Sequence, residues 1–290
     1  MPALLIFIDG LGIGSRGPHN PLDAIDSPFF SIMSGEEPDL PFDGRLAITD
    51  ACLGVEGLPQ SATGQATILT GENGPALIGR HLSGFPSPRL RDLISQHSIY
   101  KKLKALGCSV TFANAYMPLY FESRPRFVSA TTVAAESAGV RLRTLEDLER
   151  GDAVYHDFTN RYVAQRGYYA TERSPEEAGG NLARIAAAHD FTLYEHFITD
   201  RIGHNQDYEA ARAHLELLNR FVWAVLEGLD LERHSVVITS DHGNLEDLST
   251  SGHTMNPVGT LVFGRVRDRI QRIRSLTDIA PRIIESISQI

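Results

Sequence analysis

ALLIFIDG, residues 3–10, is a continuous apolar run that ends in an aspartate and a glycine. A run without alternating polar positions is typical of a strand buried on both faces of a parallel sheet. The carboxyl ends of parallel strands meet at one edge of the sheet, where loops present side chains to a shared crevice. The stretch therefore predicts a buried first strand that places Asp9 at a functional edge.

An alternation of helix and strand continues along the chain. Stretches with helical periodicity alternate with short apolar runs. We predict helices over 98–107, 175–188 and 208–229, and strands over 109–113, 191–198 and 235–239. This alternation predicts an α/β fold with a doubly wound, mostly parallel sheet that has helices on both faces.

The segment 116–173 has a different texture, with less regular alternation, several aromatic residues and scattered arginines. We interpret it as a small cap inserted into a core made of residues 1–115 and 174–290. The alternative is that the segment continues the same sheet. Arginines suit the binding of a second negative charge on a substrate, because a guanidinium holds a carboxylate or phosphate through two parallel hydrogen bonds. The candidates in the cap are Arg124, Arg126, Arg161 and Arg166.

The overall composition narrows the classes of partner. The 290-residue chain is 42% hydrophobic and carries a formal net charge of −9 at pH 7. Such a chain can bury a full core, and its acidic balance argues against a nucleic acid or a membrane surface as partner. No basic leader precedes the first apolar run, and no run approaches the roughly 18 apolar residues of a membrane span. We expect a cytoplasmic protein.

Two pairs of metal-ligating side chains follow predicted strands. Asp200 and His204 lie four residues apart after one strand, and Asp241 and His242 come directly after the next. The first pair can share one metal ion, and an adjacent aspartate and histidine at a strand end can serve two neighbouring ions. His253 adds an imidazole in a glycine-flanked loop. Each motif alone is more often a surface pair, a helix cap or a loop histidine, so the prediction depends on their combination.

A hydroxyl-rich loop, LPQSATGQATILTG at residues 58–71, leads into an apolar stretch. It predicts a loop that enters a helix. Backbone N–H groups at a helix N-terminus favour anions, so a serine alkoxide and a bound phosphate would both be stabilised there. The alternative is that Ser61 or Thr63 only caps the helix.

In combination these motifs form an ordered set. Its members are Asp9-Gly10, Ser61 with Gly64 and Gly71, Asp200-x-x-Gly-His204, Asp241-His242-Gly243-Asn244 and His253-Thr254-x-Asn256-Pro257. In order, spacing and neighbouring residues the set resembles the alkaline phosphatase superfamily, and most closely its cofactor-independent phosphoglycerate mutase branch. The resemblance covers the predicted core and does not extend into the cap. It implies an alkaline phosphatase-like core.

The resemblance also implies two divalent metal ions and the residues that hold them. One ion would be bound by Asp200, His204 and His253, and the other by Asp9, Asp241, His242 and the oxygen of Ser61. Counting back from Gly64 and Gly71 places Ser61, and not Thr63, at the nucleophile position of the family. Imidazole and carboxylate ligands without thiolate suit zinc or manganese, and the sequence does not choose between them.

These assignments predict a two-metal phosphoryl-transfer enzyme, a phosphomonoesterase or phosphomutase, that acts on a small phosphorylated metabolite through a phosphoserine. Two departures weigh against mutase activity. The cap is shorter than the insertion of the family's mutases, and Gln65 replaces the histidine usual at its position. One alternative is a phosphodiesterase or nucleotide pyrophosphatase with the same nucleophile. Another is a non-catalytic descendant that binds metal and a phosphorylated ligand.

Overall fold

The computed structural model describes residues 2–265, 267 and 272–288. Its strands are β1 (Ala3–Ile8), β2 (Arg45–Thr49), β3 (Val110–Phe112), β4 (Phe191–His196), β5 (Ser235–Thr239) and β6 (Val258–Gly264). They form one sheet in the order β2-β6-β5-β1-β4-β3. β3, β4, β1 and β5 run parallel, and β6 and β2 extend the β5 side as antiparallel strands. The prediction of a mostly parallel α/β sheet is confirmed.

The helices of the described chain cover both faces of this sheet. They are α1 (Ser61–Thr70), α2 (Gly74–Ile78), α3 (Pro88–His97), α4 (Ile99–Ala105), α5 (Pro118–Glu122), α6 (Ala130–Ser137), α7 (Leu145–Glu149), α8 (Arg161–Gln165), α9 (Pro175–Ala187), α10 (Ile198–Asn205), α11 (Tyr208–Glu227) and α12 (Ile279–Ser288). Short 3-10 turns lie at Pro21–Ala24 and Leu276–Asp278. Among the described residues, none of the helices has both the length and the apolar character needed to cross a membrane.

β1 lies in the interior of the sheet and is buried on both faces, which explains why its sequence is continuously apolar. Leu5 and Phe7 face the cluster formed with α1, α3, α4, α6 and α12. Leu4 and Ile6 face the opposite cluster, formed with α9 and α11. Because each side chain of this size contributes about 1.5–3 kcal/mol when fully buried, a polar residue at any of these positions would be costly. β1 therefore holds Asp9 in a fixed place.

One predicted boundary was wrong, and the difference affects the site. The predicted strand over 191–198 ends at His196, and α10 begins at Ile198. Ile198 is buried as the first residue of the helix, so it prolongs the apolar run without belonging to the strand. Periodicity cannot separate these cases over two residues. Asp200 and His204 consequently lie one turn apart on a helix, on the same face, and not in a loop.

The cap, residues 116–173, contains α5, α6, α7 and α8. α6 packs against α1, α3 and α4 and belongs to the same buried cluster as one face of the sheet. A separate small apolar cluster joins Met117, Leu148, Tyr155 and Val163. The division of the chain into core and cap stays a prediction.

Candidate metal centre

The predicted site residues meet at the carboxyl ends of the parallel strands. Asp9 follows β1, Asp200 lies in the first turn of α10 after β4, and Asp241 follows β5. His253 lies in the loop that leads to β6, and Ser61 is the first residue of α1. Two loops and two helices thus converge on one crevice, as expected for the edge of a parallel sheet.

Asp200, His204 and His253 form the first ligand group, with one ligand atom from each within 4.8 Å of the others. His204 Nδ1 lies 2.7 Å from the Ser251 carbonyl oxygen, and His253 Nδ1 lies 2.8 Å from that of Pro59. A carbonyl only accepts hydrogen bonds, so both Nδ1 atoms carry the proton. The two Nε2 atoms then present lone pairs to each other at 3.3 Å, with Asp200 Oδ2 3.3 Å from His204 Nε2. Lone pairs that face each other beside a carboxylate suit a shared cation.

His242 is the centre of the second ligand group. Its Nε2 lies 3.0 Å from Ser61 Oγ, 3.2 Å from Asp9 Oδ1 and 3.6 Å from Asp241 Oδ2. One ring nitrogen cannot donate to three oxygens at once, and Asp9 Oδ1 is buried without a hydrogen bond of good geometry. Asp200 also lies within 4.8 Å of Asp9 and His242, and so stands between the two groups. An orphaned carboxylate oxygen among oxygen and nitrogen ligands fits a divalent cation.

The titration of these groups reflects a dense negative cluster. Burial raises the pKa of Asp9 and of Asp241. The Asp200 carboxylate raises both further, and the Asp9 carboxylate also raises the pKa of Asp241. For His242, burial would lower the pKa, but Asp241 and Asp9 outweigh it and raise the pKa to about 10. Burial and the neighbouring His242 lower the pKa of His253 to about 4. Without metal, His242 therefore holds a proton that balances the carboxylates, and a bound cation would displace it.

Ser61 and Thr63 have different surroundings. Ser61 Oγ faces His242, and it does not cap the helix, which starts after Gln60 without a side-chain cap. Thr63 Oγ1 donates to the Gln60 carbonyl at 3.1 Å and accepts from the Leu82 N–H at 3.2 Å. The geometry thus brings Ser61 to the centre and leaves Thr63 in a structural role.

Two glycines of the motifs permit close approaches between the converging segments. A Cβ on Gly10, whose φ is +71°, would lie 2.7 Å from Asp200 Oδ1. A Cβ on Gly64 would lie 2.8 Å from the Cβ of Asp241. Neither separation is possible between real atoms, so these positions require glycine for α1 and the first loop to reach the centre.

Three further residues organise the centre, and sequence reasoning did not assign them this role. Gln65 Nε2 lies 3.3 Å from Asp9 Oδ2 and 3.4 Å from Asp241 Oδ2. Asn244 Nδ2 donates to Asp200 Oδ1 at 2.7 Å. The buried Glu246 carboxylate accepts from backbone and side-chain donors of the loops around it. Asn244 belongs to a quoted motif, whereas no spacing pattern marks Glu246.

A cavity of about 810 Å³ opens from the centre, with Asp9, Ser61 and Asp200 in its wall. Of the four candidate arginines of the cap, Arg166 lines this cavity. A second arginine, Arg201, also lines the cavity, although the sequence analysis did not select it. Its position directly after Asp200 is the feature of the sequence that could have identified it.

The other three candidates are engaged elsewhere. Arg124 pairs with Glu136, and Arg161 lies 2.5 Å from Glu172. Arg126 lies over the ring of Phe127 at 5.3 Å. The substrate-binding role of all four stays a prediction, with Arg166 alone in the cavity wall.

Comparison with known proteins finds a family and curated relatives that each match part of the chain. Residues 163–289 match the family described as Metalloenzyme superfamily. A 2,3-bisphosphoglycerate-independent phosphoglycerate mutase of Dinoroseobacter shibae is 31% identical over 121 residues, which cover 39% of this chain and 24% of that protein. One from Methanosarcina barkeri is 36% identical over 93 residues, covering 30% and 18%. The chain thus spans about a quarter or less of the length of these curated relatives.

Solved structures match over nearly the whole chain. The alkaline phosphatase of the Antarctic bacterium TAB5 aligns with a TM-score of 0.55 and 12% identity, covering 99% of both chains. The alkaline phosphatase-like fold implied by the resemblance is thus confirmed. Leishmania mexicana phosphoglycerate mutase aligns with a TM-score of 0.52 and 10% identity, covering 99% of this chain and 95% of that chain. Since the identities are low, the structures show the fold, and the chemistry must be argued from the site.

Proposed function

We propose that this protein is a phosphoryl-transfer enzyme that acts on a small phosphorylated metabolite in the cytoplasm, as a phosphomonoesterase or phosphomutase. It would hold two divalent metal ions, manganese or zinc. The observation that supports this most strongly is the position of Ser61 Oγ, 3.0 Å from His242 Nε2, which belongs to the second ligand group. A hydroxyl without a structural partner beside an unbalanced carboxylate cluster is typical of a nucleophile at a metal centre.

The residues divide the chemistry among them. Asp200, His204 and His253 would hold one ion, and Asp9, Asp241, His242 and the Ser61 oxygen the other. When bound, the two ions would lower the pKa of the serine hydroxyl and neutralise charge on the phosphoryl oxygens. The free N–H groups in the first turn of α1, which starts at Ser61, favour an anion at the same place.

The proposed reaction has two transfers. The Ser61 oxygen attacks phosphorus as the bond from phosphorus to the ester oxygen breaks, and the alcohol leaves with a proton. Water then takes the phosphoryl group from Ser61 in a hydrolase, and a second hydroxyl of the bound substrate takes it in a mutase. A phosphodiesterase is the second candidate, because a cavity of about 810 Å³ has room for a second substituent on phosphorus.

Arg166 and Arg201 provide positive charge for an anionic substrate. Both line the cavity, and among the described residues neither guanidinium forms an ion pair. Both also help to lower the pKa of the buried His156, after the larger effect of burial, so they lie close to the same point of the wall. Uncompensated guanidiniums in a cavity are suited to a phosphate or carboxylate.

The test is hydrolysis of 4-nitrophenyl phosphate and bis(4-nitrophenyl) phosphate by metal-stripped protein reconstituted with manganese or zinc. We expect metal-dependent turnover that favours the monoester and falls at least about a thousandfold in Ser61→Ala. Ser34→Ala, at an exposed position, is the matched control and should keep the wild-type rate. Wild-type turnover in Ser61→Ala would exclude this serine as the nucleophile, and a preference for the diester would favour the phosphodiesterase.

A further inference from the structure

The cavity beside Ser61 has mostly apolar walls, although the centre at its end is charged. Eight of its lining residues are phenylalanines or tyrosines, and leucine, valine, methionine and proline side chains join them. A sugar or glycerate body would lose hydrogen bonds to water against this apolar surface and could replace them only where polar side chains interrupt it. The wall therefore selects against a strongly polar alcohol part.

Three of the four tyrosine hydroxyls of the wall are engaged by the protein. Tyr116 Oη lies 2.7 Å from Thr132 Oγ1, and Tyr120 Oη donates to Glu136 at 2.9 Å. Tyr168 Oη accepts from the Leu119 N–H at 3.2 Å. Because these hydroxyls have partners, the rings mainly offer carbon surface to a ligand.

The mouth of the cavity exposes large apolar side chains. Phe85, between α2 and α3, and Phe127, between α5 and α6, stack with ring centroids 5.8 Å apart and planes at 21°. They are 51% and 52% exposed, and Leu119 beside them is 58% exposed. Apolar surface concentrated at the entrance of a cavity marks a ligand-binding site, because contact with an apolar ligand removes it from water.

The deeper wall has the same character. His156 stacks on Phe197 at 4.2 Å between centroids and 28° between planes. Both of its nitrogens are buried without a hydrogen-bond partner among the described residues. Aromatic surface thus continues from the mouth toward the centre, and His156 contributes a polar position without a protein partner among the described residues.

We infer that the natural substrate is a phosphate ester of a bulky aromatic or apolar alcohol, whose carbon body lies between the Phe85–Phe127 pair and the aromatic wall. This inference rests on the proposed function, since the phosphate must lie at Ser61 for the body to extend into the cavity. A volume of about 810 Å³ accommodates a body much larger than glycerate. The occupant is therefore defined by its apolar surface as well as by its phosphate.

The experiment compares 3-phenylpropyl phosphate with propyl phosphate. The two alcohols are similarly poor leaving groups, so the phenyl ring changes binding and leaves the chemical step nearly the same. We measure kcat/KM with the metal-loaded wild type and Kd by calorimetry with metal-loaded Ser61→Ala. Both should favour the phenylpropyl ester by about 10- to 100-fold, the factor expected for burying a phenyl-sized group.

Variants of the mouth residues test whether the apolar wall causes this preference. Phe85→Ala combined with Phe127→Ala should reduce it by about tenfold, because the stacked pair contributes at the mouth. Leu106→Ala is the control, since Leu106 is 56% exposed and does not line the cavity. It should leave the preference unchanged.

The readouts separate the inference from the proposed function. Turnover of both esters with equal kcat/KM and equal Kd would overturn the inference and leave the proposed function intact. Selective binding of the phenylpropyl ester without turnover of either would support the inference about the wall and overturn the proposed reaction. A preference that survives the double phenylalanine variant would overturn the placement of the body at this mouth.

Discussion

Replacing Glu246 with alanine should loosen every loop that carries a metal ligand. Its carboxylate accepts the backbone N–H groups of Gly12 at 2.9 Å and Asn244 at 2.7 Å. It also accepts the Thr254 hydroxyl and, at 3.1 Å, the Asn256 side chain. These donors lie in the loop after β1, which carries Asp9, and at both ends of the β5–β6 connection, which carries the Asp241–His242 pair and His253. One carboxylate therefore ties the two loops together.

The magnitude follows from these four hydrogen bonds. A hydrogen bond to a charged group contributes about 1.5–3 kcal/mol, so the gross loss in Glu246→Ala is roughly 6 kcal/mol or more. Removal of a charge that is costly to bury offsets part of it, since Glu246 is 2% exposed. We expect a net loss of about 4 kcal/mol in the free energy of unfolding, a large share of the 5–15 kcal/mol typical of folded proteins.

The assay is urea unfolding of the metal-free protein at pH 7, followed by circular dichroism, with metal affinity measured separately by calorimetry. Glu246→Gln keeps the volume and one acceptor oxygen and should cost about half as much as Glu246→Ala. Glu37→Ala, at an exposed position, should change the free energy of unfolding by no more than about 0.5 kcal/mol. If Glu246→Ala unfolds at the wild-type urea concentration, with unchanged metal affinity, the tie between the loops does not exist.

Three further predictions concern the groups around the cavity. Burial raises the pKa of Glu195 to about 7 from 4.5. Between these values the unfolded state loses a proton that the folded state keeps, so Glu195 should contribute a loss of about 3 kcal/mol of metal-free stability as pH rises from 4.5 to 7, in addition to the losses from Asp9 and Asp241. Glu195→Gln should remove the contribution of Glu195, which is measured by unfolding both proteins at several pH values. Equal pH dependence of stability in the two proteins would refute the raised pKa of Glu195. His204→Ala should lower the number of bound metal ions from two to one, as measured by elemental analysis. It should have little effect on metal-free stability, because the His204 side chain is 44% exposed. Two retained ions would contradict the ligand assignment. Arg166→Gln should raise KM by about 10-fold or more, as expected for the loss of a hydrogen bond from a charged group. Arg161→Gln should leave KM unchanged, because Arg161 pairs with Glu172. Equal effects would mean that Arg166 does not contact substrate.

Strong periodicity is what made parts of the fold predictable. β1 and β5 are buried runs, and α9 and α11 have well-marked apolar faces, so their boundaries agree within two residues with the prediction. β2 and β6 were not predicted. β2 is five residues long with alternating exposure, and β6 contains glycine and threonine among its apolar residues, so neither stands out from a loop.

In the site, too, features within a short stretch of sequence were easier to predict than contacts between separate segments. The ligand types and their spacing were readable because each motif is short and follows a strand. The role of Gln65 was not readable, because it depends on contacts with residues more than 50 positions away, and that of Glu246 depends in part on such a contact, with Gly12. The apolar cavity wall is assembled from several separate segments, and no single stretch of sequence describes it.

The most direct test of the account is to look for the phosphoryl group on Ser61 itself. Metal-loaded protein is mixed with a phosphomonoester, quenched with acid within the first turnover, digested and analysed by peptide mass spectrometry. The account predicts one phosphoryl group on the peptide that contains Ser61, assigned to that residue by fragmentation, and none there in Ser61→Ala. Full turnover without a phosphopeptide, or a phosphoryl group on Thr63, would contradict it.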